Sequence, residues 1–339
     1  MRLRPRLCWA AAAAAAVAVA ALAFGAADVG ASTDPAGGAQ LLDGMRRAVA
    51  GHDFRGVMVV QWTGADGKLH RQTVPVRNED GALSVQGMEA NVGTGPSEIV
   101  HGDDHALVMW SEAEDRAVPS ATRKYDLTVA AGPHVAGRST TVVEARLGGE
   151  KHPSARYYLD TATGLLLRSQ EFDPGGRLVR GVSFVEISDP VTASVPDTTA
   201  APSGSYAARA TRAVAKPFHA PEHAGHGYAL VGRYVLPSGT VQLFYSDGLF
   251  DISVFQQKGR LDWGGLPSGG VDTKVAGRTA RQYVIPGGRA LVWDARGVVY
   301  TCVTDAPQAD VAAFVAAFPT NDGSGWDDAV DVVLAPFSW

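Results

Sequence analysis

The sequence predicts an α+β protein, mostly antiparallel β: a large curved sheet with one helix free to pack on its concave side, followed by a smaller α+β unit. Three observations predict this. Apolar residues recur at helical spacing once near the start of the chain and once near its end. Between those stretches the period is two, in short Val-, Leu- and Trp-rich runs separated by turn pairs such as Asp66-Gly67 and Asp80-Gly81, the signature of a meander. A stretch poor in large apolar side chains, residues 189–216, divides two such blocks.

Residues 1–27 come first. Arg2, Arg4 and Arg6 precede an alanine-rich apolar run over 7–24, and Gly25-Ala26-Ala27 supplies small residues for a signal-peptidase site. This reads as a signal peptide. A retained anchor is the alternative, because the run sits at the lower edge of bilayer-spanning length. Cys8 precedes the run, and no lipid-attachment cysteine follows it. Cleavage removes three arginines and no acid, taking the net charge from −5 to −8. It also leaves Cys302 alone, so no intrachain disulfide forms and the core must hold the fold. Cys302, within the apolar run 298–303, reads as a buried, inert thiol.

Residues 28–38 form a disordered lead. Leu41, Leu42, Met45 and Val49 then mark an amphipathic helix over 39–50, stopped by Gly51. Strands are expected over 57–62, 69–76, 82–86, 98–101 and 106–111, then over 139–147, 155–160, 165–172 and 178–187. This block, 39–188, is the first domain and 189–216 the linker. The second domain, 217–319, carries strands over 229–236, 241–246, 250–256, 279–285, 289–293 and 298–303. A short helix over 309–318 closes it, with Pro307 ahead of it and Pro319 behind. Residues 320–339 are a tail, its apolar end docking onto a domain surface.

The 339 residues are 46% hydrophobic and 19% charged, which suits a packed core rather than a disordered chain. A net charge of −5 gives no electrostatic basis for nucleic-acid binding. The chain lacks a G-x-S-x-G elbow, an H-E-x-x-H pair and a phosphate-cradling glycine loop. His219, His223 and His226 have helical spacing, but Pro217, Pro221, Gly225 and Gly227 interrupt them, so a solvated lead-in is favoured over a metal site. His101 and His105 flank a wet turn, and the acidic run over 112–115 reads as a solvated loop. With no catalytic pair, metal set or cofactor motif, a binding protein is favoured over an enzyme, and a hydrolase with an unrecognised site is the contrary reading. A curved sheet not filled by its own helix leaves an apolar trough for elongated ligands, stabilised by about 0.8 kcal/mol per buried methylene. The candidate liners are Val57, Val59, Trp62, Leu107, Met109, Tyr157 and Leu166, each also readable as ordinary core.

Two segments carry a resemblance. One is Phe244-Tyr245-Ser246-Asp247-Gly248-Leu249-Phe250-Asp251-Ile252-Ser253-Val254. The other is Tyr158-Leu159-Asp160-Thr161-Ala162-Thr163-Gly164-Leu165-Leu166-Leu167-Arg168, followed by Phe172-Asp173 and Gly176-Arg177-Leu178. With the order of parts, they make the chain similar to the RseB/MucB-type regulators of extracytoplasmic sigma-E factors. The resemblance spans roughly residues 39–318. It departs where Pro217-Phe218-His219-Ala220-Pro221 leads into the second domain, and in the tail.

The resemblance implies a first domain like the lipoprotein carriers LolA and LolB, an open half-barrel wrapped round a helix. It implies a second domain that contacts the extracytoplasmic part of a membrane-spanning anti-sigma factor and shields it from proteolysis. A lipid or amphiphile in the groove weakens the shield. On this basis Tyr245, Asp247, Leu249 and Phe250, taken as one strand, are the partner-binding residues. A cell-envelope lipid carrier without a signalling role is the alternative.

Overall fold

The computed structural model describes residues 32–79, 82–85, 99–100, 118–188, 208–209, 216–235, 239–285, 288–320 and 331–332. The leader, the expected strand over 106–111, His101, His105 and the acidic run over 112–115 lie outside them. Among the described residues no helix is long and apolar enough to cross a membrane.

The first helix, α1 (Pro35–Ala50), starts four residues before the expected position. Asp34 explains the earlier start: its Oδ1 accepts the Gly37 amide at 2.9 Å, and Pro35 occupies the first turn, where its missing N–H costs nothing. Leu42, Met45 and Ala48 form the buried stripe. Burial of Leu42 and Met45 contributes about 1.5–3 kcal/mol each. Gly38 brings the helix close to the sheet, since a Cβ there would stand 2.9 Å from the Cβ of Leu127.

The first sheet contains β1 (Ser32–Thr33), β2 (Phe54–Thr63), β3 (Leu69–Glu79), β4 (Ala82–Val85), β5 (Ile99–Val100), β6 (Tyr125–Val135), β7 (Arg138–Leu147), β8 (Ala155–Asp160), β9 (Leu166–Phe172) and β10 (Leu178–Ser188). Its order is β1-β6-β7-β8-β9-β10-β2-β3-β4-β5, antiparallel at every joint with an assigned register. The β2–β5 run therefore adds to the far side of β10, and the sheet is open rather than closed into a barrel. α1 packs on β6 and β7.

The second sheet contains β11 (Ala208–Arg209), β12 (His223–Ala224), β13 (Tyr228–Val235), β14 (Val241–Ser246), β15 (Asp251–Lys258), β17 (Val271–Val275), β18 (Arg278–Ile285), β19 (Gly288–Ala295) and β20 (Val298–Thr304). Beside it, β16 (Arg260–Leu261) pairs in parallel with β21 (Asp331–Val332) from the tail. Helix α2 (Gln308–Val315) covers one face, and the chain continues in turns to Phe318, where the expected helix ends. Phe314 meets Tyr245 edge-on at 4.9 Å between ring centroids and Tyr228 at 5.9 Å. Trp293 stacks on Tyr300 at 5.1 Å. Cys302 is fully buried in this core, and burial pushes its thiol up to about 12, which leaves it unreactive at neutral pH. The architecture is thus α+β and mostly antiparallel, built on two open sheets.

Among the described strands longer than two residues, two are absent from the sequence reading, β6 and β17. Both end in two-residue Ala-Gly turns with both residues at positive φ: Ala136-Gly137 (49° and 78°) and Ala276-Gly277 (47° and 79°). These are type I′ hairpins without the usual Asn-Gly or Asp-Gly signal. In β6, Gly132 and Pro133 further obscure the period, and the structure places a register irregularity there.

Candidate functional site

The segment over 245–250 is not one strand. β14 ends at Ser246, β15 begins at Asp251, and Asp247–Phe250 is the four-residue turn between them. Asp247 builds this turn: its Oδ1 accepts the amides of Leu249 at 2.9 Å and Phe250 at 2.8 Å. Gly248 adopts φ +95°, and a Cβ there would lie 2.2 Å from the Pro119 carbonyl oxygen and 2.6 Å from the Ala121 nitrogen. Only glycine fits, because the turn presses against the backbone at the single 3-10 turn Ala121–Arg123 that precedes β6.

Around this contact lies a buried ionic joint between the two sheets. Lys124 Nζ donates to Asp247 Oδ2 at 2.7 Å and to Asp310 Oδ2 at 2.6 Å. It also lies 5.2 Å from the Tyr125 ring centroid and 5.1 Å from that of Tyr228. The Tyr125 hydroxyl donates to Asp247 Oδ2 at 2.8 Å. Arg46, on α1, donates to the Gly248 carbonyl at 2.5 Å. Asp310 reaches His226 Nδ1 at 2.8 Å through its other oxygen. Its place in the first turn of α2 lets the helix dipole favour its charge.

A second ionic group lies beneath. Arg180 Nε donates to Glu171 at 2.9 Å, and its Nη2 reaches Asp305 at 3.4 Å. Asp305 accepts the Asp251 amide at 2.9 Å. Burial, and then the neighbouring Glu171 carboxylate, push the Asp305 pKa well above the ordinary carboxylate range. Burial acts to lower the Arg180 pKa, but Glu171 and Asp305 outweigh it and hold the value above the usual guanidinium range. Burial and Asp247 raise the Tyr125 hydroxyl, and burial and Asp305 raise that of Tyr157, so both remain donors.

Asp247, Leu249 and Phe250 of the expected partner residues gather at this joint, and Tyr245 does not. Tyr245 points into the core and donates to the Pro221 carbonyl at 2.9 Å. Asp247 is 2% exposed and Phe250 is 1% exposed, with Phe250 edge-on to Tyr125 at 6.2 Å. Leu249 is buried too, and its carbonyl accepts the Tyr157 hydroxyl at 3.4 Å.

The expected groove residues divide. The register Val60↔Val182↔Ser169↔Tyr157 carries one face across four strands, and Trp62 shares it by parity along β2. Val57 and Val59 face the other way, beside Ser183 and Arg168. Tyr157 and Leu166 line a cavity with Met45, Arg46, Glu171 and Asp305, of about 20 Å³, room for one water molecule. Leu107 and Met109 lie outside the described residues.

The three histidines separate: His219 meets the Phe318 ring at 6.0 Å, His223 sits exposed in β12, and His226 joins Asp310. Sequence reasoning missed Arg46, Lys124, Glu171, Arg180, Asp305 and Asp310. Asp310, an acid just inside a helix start, carried the one local signal, and its partner Lys124 is 186 residues away.

Comparison with curated proteins gives no match. Among solved structures the chain is similar to MucB in complex with MucA(peri), at 19% identity and a TM-score of 0.45, over 84% of this chain and 99% of that one. It is similar to a chain of the Pseudomonas aeruginosa MucA/MucB complex at 18% identity and a TM-score of 0.44, over 83% and 97% of the two chains. A putative outer membrane lipoprotein-sorting protein domain from Vibrio parahaemolyticus matches at 10% identity and a TM-score of 0.20, over 48% of this chain and 97% of that one. The family model described as the MucB/RseB N-terminal domain matches residues 87–203, a stretch that includes β6 to β10. That match spans about a third of the chain, and over it the chain is similar to the MucB/RseB N-terminal domain.

Proposed function

We propose that this chain is an exported, non-enzymatic regulator that binds the extracytoplasmic part of a membrane-spanning anti-sigma factor, protects it from proteolysis and senses a lipid or amphiphile. The observation that carries the reading is the MucB/RseB match over residues 87–203. The Asp247–Phe250 turn, the centre of the sequence resemblance, supports it by standing where the two sheets meet rather than in an isolated hairpin. A domain boundary near residues 189–216 belongs to the same proposal. In this reading Tyr245, Asp247, Leu249 and Phe250 serve the partner.

The apolar ligand is proposed to enter at the face that carries Trp62, Tyr157 and Leu166, with Leu107 and Met109 as further walls and Val57 and Val59 backing the sheet. A 20 Å³ cavity holds no acyl chain, so entry requires α1 to lift. Exposing Leu42 and Met45 costs about 3–6 kcal/mol, which roughly four to eight newly buried methylenes offset. Ligand and partner then weaken one another by the same factor.

The test is titration of the chain with the extracytoplasmic segment of a single-pass anti-sigma factor. The expected result is saturable binding with a Kd of about 1 μM or tighter, weakened by added amphiphile. Acyl-chain transfer between vesicles with no capture of that segment makes the chain a carrier instead.

A further inference from the structure

The joint buries charge at a density that a purely structural contact does not need. On the second-sheet side, Asp247, Asp251, Asp305 and Asp310 accompany the apolar pair Leu249 and Phe250. On the opposite side, α1 and the first sheet supply Arg46, Lys124 and Arg180 with the hydroxyls of Tyr125 and Tyr157. The carboxyl groups of Asp247 and Asp310 and two apolar side chains are thus covered by Lys124, Arg46 and two tyrosines of the same chain, while Arg180, paired with Glu171, reaches Asp305. Replacing such ionic contacts by apolar ones of equal shape is often neutral or stabilising, so stability alone does not account for them.

We propose that the Asp247–Phe250 turn and its neighbouring carboxylates are a docking surface for a basic, apolar peptide segment, and that the Arg46–Lys124–Tyr125 side is its built-in occupant, displaced when the two sheets swing apart. This rests on the proposed capture of an anti-sigma segment and names the chemistry of the part that docks: a lysine or arginine beside an aromatic or aliphatic side chain. The closed joint is therefore an autoinhibited state, and the partner must supply the contacts that the first sheet gives up. Charge complementarity argues for a basic segment over an acidic one, because an acidic segment would add charge beside the Asp247 and Asp310 carboxylates.

Gly248 offers a way to open the joint without touching a charge. Gly248→Ala puts a methyl group 2.2 Å from the Pro119 carbonyl oxygen, a backbone atom that cannot yield locally. Gly227→Ala is the control: Gly227 has φ +91°, close to the +95° of Gly248, and a Cβ there meets nothing within 4 Å. The two variants share backbone strain, and only the first carries the wedge.

The experiment compares hydrogen exchange, small-angle scattering and peptide binding for the unmodified chain and both variants. The probe is a fluorescent peptide copying residues 123–129 of this chain, which carries Lys124 and Tyr125 and omits the Pro119–Ala121 backbone that the wedge meets, against the same peptide with Lys124→Glu. We expect at least tenfold faster exchange of the Leu249 and Phe250 amides and a larger radius of gyration in Gly248→Ala alone. We also expect that variant to bind the peptide at least tenfold more tightly than the other two chains, with no binding of the Lys124→Glu peptide. Equal behaviour of Gly248→Ala and Gly227→Ala overturns the opening joint. Opening with no preference for the basic peptide overturns the docking surface. Neither readout uses an anti-sigma factor, so failure of the broader function leaves both results interpretable.

Discussion

Lys124 holds two buried carboxylates at once, 2.7 Å from Asp247 and 2.6 Å from Asp310. Removing one member of a buried ion pair leaves an uncompensated charge, so Lys124→Ala is expected to destabilise the chain by about 3–5 kcal/mol. Chemical denaturation at neutral pH measures this, and a loss below about 1 kcal/mol, the level of an exposed pair, contradicts the account. Asp305 is governed by pH. Its folded pKa lies above its unfolded value, so between those two values the folded state binds the extra proton. The Asp305 contribution is therefore most favourable below the ordinary carboxylate pKa and declines as pH rises through the raised one. Asp305→Asn is expected to remove that decline from the stability-versus-pH curve, and a curve of unchanged slope argues against it. Glu171, Arg180 and Asp251 face the group and remain in the variant. Asp247 was legible in the sequence because the surrounding motif is distinctive, although that motif reads as one strand while Asp247-Gly248 announces a turn. Lys124 was not, since nothing local marks a cation whose acids lie 123 and 186 residues away, and Arg180 was not, since strand register brings it Glu171 and the second sheet brings it Asp305.

At the scale of elements, hydrophobic period and turn chemistry specify most strands, and the exceptions share a cause. β6 and β17 went unread because their hairpins turn on Ala-Gly, in which alanine sits at φ 49° and 47°. An L-residue in the left-handed region costs about 1–2 kcal/mol, and asparagine bears that cost more readily. Ala136→Asn and Ala276→Asn should each raise the unfolding free energy by about 0.5–1 kcal/mol, read as a higher denaturation midpoint at unchanged m-value. A fall in midpoint for both contradicts the turn assignment. The start of α1 was missed for a related reason: Gly37 and Gly38 dilute the helical pattern, whereas the Asp34 cap and Pro35 set the boundary. Parity along β2 was readable and went unused. Residues 57 and 59 cannot share a face with 62, so the expected groove residues could never form a single wall.

Among the described residues of the whole molecule, the two large open sheets are joined across an apolar cluster in which Leu42 and Met45 of α1 meet Tyr157 of the first sheet and Leu249 and Phe250 of the second. Every proposed function passes through this junction. Lifting α1 for an apolar ligand withdraws Arg46 from the Gly248 carbonyl, and opening the joint for a peptide withdraws Lys124 from Asp247. On the proposed reading, ligand and partner are coupled through shared contacts rather than across a distance. The most direct test is hydrogen exchange of the chain alone and saturated with the extracytoplasmic anti-sigma segment. If the segment displaces the built-in occupant, the Leu249 and Phe250 amides stay protected while those of Arg123 and Lys124 exchange at least tenfold faster. Saturable binding that leaves Arg123 and Lys124 unchanged, with new protection elsewhere, contradicts it.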